Sequence, residues 1–272
     1  MRSIQDAKRI VVKVGTSTLT HDTGKTNLRR MSRLAAVLSD LHNAGREVVL
    51  VSSGAIGVGV GKLNLAGRPE DTPGSQAAAA VGQCELMFLY DKMFGEYGNC
   101  VGQLLLTRDD VDNERRRRNL INTFTRLFAL GAIPIVNEND SVSTDEIEFG
   151  DNDALSAVVA KLVEADALIF LTDTDGLYTG HPQEDAQAAL LPVVPRVTEE
   201  ILALAGPSGS NRGRGGMITK LQAAKAATEA GIDVVICNGA QPDILFQLMD
   251  GRQAGTWFRR QETGDGKGGS AS

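Results

Sequence analysis

Histidine is scarce in this chain, three residues among 272, and none of His21, His42 and His181 falls in the polar clusters at the strand ends described below. General acid–base work or a metal site built on imidazole is therefore not expected. Cys84, Cys100 and Cys237 are odd in number, far apart and without a C-x-x-C pair. That pattern excludes a disulfide framework and fits reduced thiols in a cytoplasmic protein. Aromatic residues make up only 4% of the chain and the formal net charge is -6, so a basic, base-stacking face for nucleic acid is excluded as the main feature. No apolar run approaches the ~20 residues needed to cross a bilayer. The opening "MRSIQDAKRI" has no apolar stretch of the signal-peptide kind.

What is present is ordinary globular material, 42% hydrophobic and 23% charged. Strand-like and helix-like segments alternate. The spacing predicts strands at 10–14, 47–51, 101–107, 132–137, 167–172 and 233–237, with helices over 27–45, 75–98, 113–130, 154–165 and 219–231. Gly45 is placed to stop the first helix. The strands are continuous, β-branched runs and not alternating ones, which marks a sheet covered on both faces. The predicted fold is a three-layer αβα sandwich around a mainly parallel open sheet. The glycine-rich "SSGAIGVGVG" follows the second strand. Its spacing does not match a dinucleotide fingerprint, which disfavours a nicotinamide-dependent oxidoreductase. The closing Gly/Ser-rich segment, 261–272, is expected to be disordered.

"IVVKVGTSTL" places Lys13 inside an apolar strand, where an unpartnered ammonium costs several kcal/mol. In open α/β sheets ligands gather beyond the C-terminal ends of the strands, and Lys13 lies near such an end. Other polar groups fall at equivalent places: Ser52 and Ser53 after the second strand; Asn137, Glu138, Asn139 and Asp140 in "IPIVNENDS"; Asp151, Asn152 and Asp153 in "FGDNDALS"; Thr172, Asp173 and Asp175 in "IFLTDTDGLYT"; and Lys220 in "GRGGMITK". Each has a plainer reading, since Asp and Asn cap helices, Asp-Gly favours turns, and "ERRRRNL" suits a solvated helix face. Two lysines, glycine turns and a ring of Ser, Asn and Asp converging on one edge suit a phosphate passed between two bound molecules. Such chemistry needs alignment and positive charge more than a base.

"KVGTSTLT", "VSSGAIGVG", "VNENDSV", "GDNDALSA", "LTDTDGLYT" and "GRGGMITKLQAA" occur in the order found in the glutamate 5-kinase family of the amino acid kinase superfamily, which the chain resembles over residues 8–258. The resemblance implies transfer of the γ-phosphoryl of ATP to the side-chain carboxylate of L-glutamate, the first step of proline biosynthesis. By it, Lys13, Lys220 and Asp153 are catalytic, with Asp153 orienting the lysine pair. Ser53, Asp140 and Asn152 match the family's glutamate-binding positions. Lys13, Thr172, Asp173 and the stretch Arg214, Gly215, Gly216, Met217, Ile218, Thr219 and Lys220 match its ATP-binding positions, though family members often carry a small hydroxyl residue where this chain has Arg214. It also implies Mg²⁺ held mainly by the nucleotide phosphates without a protein metal site, a homo-oligomer of two or four chains, proline as a feedback inhibitor, and no nucleic acid or membrane partner. One kinase domain is expected over 1–260, with an amino-acid lobe at about 1–165 and a nucleotide lobe at about 166–260. The chain stops soon after "GTWFRR", so the PUA domain that many members carry is not expected. Kinases of aspartate, UMP or carbamate, and a non-catalytic nucleotide sensor, remain the alternatives. The acidic "NEND" segment weighs against UMP, and the presence of both lysines against a sensor.

Overall fold

The computed structural model describes residues 4–21, 25–142, 152–180, 185, 187–205 and 216–262. After a 3-10 turn at Ile4–Asp6, the elements run β1 (Arg9–Val14), α1 (Thr16–Leu19), α2 (Leu28–Asn43), β2 (Glu47–Ser52), α3 (Ala55–Lys62), α4 (Thr72–Gly95), β3 (Cys100–Leu106), α5 (Arg108–Asp112), α6 (Glu114–Ala129), β4 (Ala132–Glu138), α7 (Asn152–Leu162), β5 (Ala167–Thr172), β6 (Val193–Val194), α8 (Glu199–Ala203), α9 (Met217–Glu229), β7 (Asp233–Asn238), α10 (Ile244–Met249) and β8 (Thr256–Phe258). They form one open sheet in the order β3-β4-β2-β1-β5-β7-β8-β6. Every pairing from β3 to β7 is parallel; β8 alone runs antiparallel to β7.

Alternation along the strands divides the core into two. Ile10, Val12 and Val14 of β1, with Val48 and Leu50 of β2 and Ile133 and Ile135 of β4, pack against α2, α4 and α10. Val11 of β1, with Val49, Val51, Leu168 and Phe170, packs against α6, α7 and α9. Successive side chains on a strand point to opposite faces, so both faces are apolar because both are covered. This is the αβα sandwich the β-branched runs predict. Full burial of such a Val, Ile or Leu side chain contributes about 1.5–3 kcal/mol.

The helices start where short polar side chains cap them. Asn27 accepts from Arg30 N at 3.1 Å at the head of α2, and Asp71 accepts from Gly74 N at 3.0 Å at the head of α4, beside Pro73. Gly45 follows α2 at φ +93, a left-handed position suited to glycine. The glycine-rich run after Gly54 forms the helix α3. Its glycines serve packing. A Cβ on Gly59 would lie 1.8 Å from Ala78 O, and one on Gly82 of α4 would lie 1.7 Å from Ala55 O. The two helix backbones therefore touch where side chains would hold them apart. Among the described residues no helix is long and apolar enough to cross a membrane. The predicted tail lies outside the described residues beyond Glu262.

Candidate active site

Lys13 follows Val11 on the face of β1 that looks toward α7 and α9, so its side chain enters the layer between sheet and helices. It is 5% exposed. There it meets Asp153, the second residue of α7, in an ion pair through Oδ1. The other oxygen, Oδ2, is 3.1 Å from Lys220 Nζ and 2.8 Å from Thr219 Oγ1, both in the first turn of α9. Asp153 has no solvent exposure. Burial alone would raise its carboxyl, but the charges of Lys13 and Lys220, with hydrogen bonds from Lys13 and Thr219, outweigh that and hold it down at about 2. Among the described residues the two cationic side chains share this carboxylate in a place that water barely reaches. Buried cations held in this way can stabilise negative charge brought to them.

A second network lies on the opposite face of the same strand ends. Asn137, near the end of β4, shares the parity of Ile133 and Ile135 and faces α4. Its Nδ2 donates to Gln83 Oε1 at 2.8 Å, and its Oδ1 accepts from Glu138 N at 2.9 Å and from Asn152 Nδ2 at 2.9 Å. Asn152 Nδ2 also lies 2.8 Å from Ser53 Oγ and 3.4 Å from Ser52 O. Ser52 Oγ and the buried Tyr90 hydroxyl are 2.8 Å apart. Asn152 and Asp153 are adjacent at the head of α7, so this neutral amide network and the charged cluster meet there.

Thr172 closes β5, where its carbonyl accepts from Gly239 N at 2.7 Å and its hydroxyl donates to Asp173 Oδ1 at 3.0 Å. Asp173 itself is exposed, and the neighbouring Asp175 accepts from Asn238 Nδ2 at 2.8 Å. Gly216 sits at the N-cap of α9 without a side-chain cap, and Met217, Ile218 and Thr219 form the first turn, half-buried. The helix therefore presents backbone N–H groups beside Lys220. Asp140, half-buried, follows β4. Arg214, Gly215 and Asp151 lie outside the described residues. Among the described residues no group of three or more His, Cys, Asp or Glu side chains could hold a metal ion. A hollow of about 510 Å³ between α6 and the far end of α7, lined by Arg9, Phe124, Phe128 and Lys161, shares no residue with the cluster.

The sequence model of the amino acid kinase family matches residues 8–238. The chain belongs to that family. Amino acid kinases similar to it in sequence include the glutamate 5-kinase of Clostridium perfringens, 55% identical over 94% of this chain and 97% of that one. The glutamate 5-kinase of Listeria monocytogenes serotype 4a is 53% identical, with 94% of each chain covered. Among solved structures, carbamate kinase from Giardia lamblia bound to AMP-PNP matches with TM-score 0.67 at 18% identity, covering 94% of this chain and all of that one. UMP kinase from Bacillus anthracis matches with TM-score 0.63 at 14% identity, over 94% and 97%. These structures share the amino acid kinase fold.

Within this amino acid kinase, Lys13, Asp153 and Lys220 come together, as do Ser53 and Asn152, while Thr172 and Asp173 stand at a neighbouring strand end. Two participants were not singled out for the site: Asn137, visible in the sequence only as one of several polar residues ending a strand, and Gln83. A signal for Gln83 existed. Ala79, Gln83, Leu86 and Tyr90 fall at helical spacing on the sheet-facing side of α4, and a carboxamide in such an apolar stripe asks for a buried partner.

Proposed function

We propose that this amino acid kinase transfers the γ-phosphoryl group of ATP to the side-chain carboxylate of L-glutamate, giving L-glutamyl 5-phosphate and ADP. The observation that carries the reading is the Lys13–Asp153–Lys220 cluster, joined through α7 to the Ser53–Asn152 network. Proteins named glutamate 5-kinase that are 53–55% identical over nearly the whole chain add support. A free carboxylate with pKa about 4.3 is already ionised at neutral pH and needs no base. The obstacle is repulsion between that carboxylate and the nucleotide phosphates. In this reading Lys13 and Lys220 offset it, Asp153 sets their spacing, and the N–H groups at the head of α9 add partial charge. Thr172, Asp173 and Gly216–Lys220 serve the nucleotide, on the 166–260 part of the chain; Ser53, Asn152 and Asp140 serve the amino acid, with Asp140 as partner for its ammonium. Mg²⁺ enters as part of the MgATP substrate, held by phosphate oxygens and water as this ion prefers. A cytoplasmic location, a homo-oligomer and inhibition by proline complete the reading; light scattering and a melting series with proline test the last two.

The test is a single mixture of protein, ATP, Mg²⁺, L-glutamate and hydroxylamine. An acyl phosphate is captured as the hydroxamate, and product is expected with glutamate but not with aspartate. Hydroxamate formed faster from aspartate, or transfer to UMP in place of glutamate, would overturn the proposal.

A further inference from the structure

We propose that Gln83 is a positioning residue for the amino-acid substrate: acting through Asn137, it holds the amide of Asn152 so that Oδ1 is presented as a further acceptor, in addition to Asp140, for the substrate's α-ammonium. The inference deepens the reading above and rests on it for the identity of the substrate.

The polarity of the network follows from groups that can only donate or only accept. The Glu138 backbone N–H can only donate, so the Asn137 atom 2.9 Å away is Oδ1. Nδ2 of Asn137 must then face Gln83, which answers with Oε1 at 2.8 Å. Asn137 Oδ1 also faces Asn152, and Ser52 O, an acceptor only, lies on the same side. Asn152 therefore turns Nδ2 toward them, and its own Oδ1 is left on the other side. That oxygen is buried and has no hydrogen-bond partner among the described residues. A buried acceptor without a donor is costly, and the donor that glutamate brings is its ammonium.

Gln83 is able to enforce this because α4 cannot drift. Gly82, its neighbour, lies against Ala55 O so closely that no Cβ fits, and Tyr90 two turns later is tied to Ser52. Asn137 is 2% exposed, so water cannot replace the carbonyl of Gln83. Without it, Nδ2 of Asn137 is stranded, the side chain turns to find a partner, and Asn152 loses its reference.

The experiment compares Gln83→Met, which removes the acceptor at similar volume, with Gln83→Glu, which keeps an acceptor oxygen. With Gln83→Met the KM for L-glutamate should rise about tenfold, the scale of one hydrogen bond, while kcat and the KM for ATP stay within about twofold. Gln83→Glu should recover most of the loss. If Gln83→Met does not fold, Gln83→Asn, whose shorter arm cannot reach Asn137, carries the same expectation. An unchanged KM for glutamate overturns the proposal. So does an equal rise in the KM for ATP with a fall in kcat, the mark of a general structural role, or a Gln83→Glu variant as impaired as Gln83→Met. Calorimetric binding of L-glutamate separates the two readings. A wild-type chain that binds glutamate but makes no hydroxamate fails as a glutamate kinase, and tenfold weaker binding by Gln83→Met still decides the role of Gln83.

Discussion

Replacing Asp153 by Asn removes one negative charge and changes almost no volume, so its consequences are electrostatic. The carboxyl is lowered from 3.8 to about 2 in the folded protein. A depressed carboxylate stabilises the fold at any pH above its unfolded value near 4, and the contribution disappears as pH falls through about 2. At 1.36 kcal/mol per pH unit that is ~2 kcal/mol at neutral pH. The substitution does more than protonation, because it takes the Asp153 charge away from two lysine side chains that are 5% and 8% exposed; breaking a buried ion pair from one side costs about 3–5 kcal/mol. For a domain of this size 1 kcal/mol moves the melting temperature by about 2–4 °C, so Asp153→Asn should melt roughly 6–20 °C lower at pH 7. The difference from wild type should shrink between pH 4 and pH 2, as the wild-type carboxyl takes up its proton. Added ATP analogue should restore more stability to the variant than to wild type, since phosphate supplies the missing anion. Calorimetric melts across pH 2–8, with and without nucleotide, measure all three. A variant melting within 2 °C of wild type at pH 7, with a pH-independent difference, would refute the assignment of Asp153 as the counter-ion of both lysines.

Lys13→Ala and Lys220→Ala should each lower kcat in the hydroxamate assay by ~10²–10³, the scale of removing one stabilising donor; near-normal turnover in either would contradict its role. Asp140→Ala should raise the KM for glutamate with little change in kcat, measured by varying glutamate at saturating MgATP. Gly82→Ala should destabilise the fold by at least the ~1–3 kcal/mol typical of overpacking, because its methyl would sit 1.7 Å from Ala55 O. A thermal melt unchanged from wild type would show that α3 and α4 are not pressed together there.

The sheet was legible because its signal is redundant. Each of the strands carrying the cluster is a run of apolar β-branched residues, and the parallel order then places Lys13, Ser52, Asn137 and Thr172 along one edge without further information. Lys13 stood out for the same reason, as a charge where the pattern demands Val or Ile. The small strands β6 and β8 and the helices α5, α8 and α10 were not visible, being only two to six residues long and set by tertiary pairing instead of local pattern. The helix α3 was not visible because glycine is a poor helix former in isolation; its close approach to α4 overrides that propensity, and close approach is a property of two segments together. Gln83 was missed on similar grounds, since its meaning depends on a partner 54 residues away.

The three charged side chains of the cluster come from a first strand, a middle helix and a helix near the far end of the chain. A ribosome delivers Lys13 early and Lys220 among the last fifth of the residues. No growing chain short of α9 can assemble the pair of cations around Asp153, so this buried charge cluster closes only after α9 has been made.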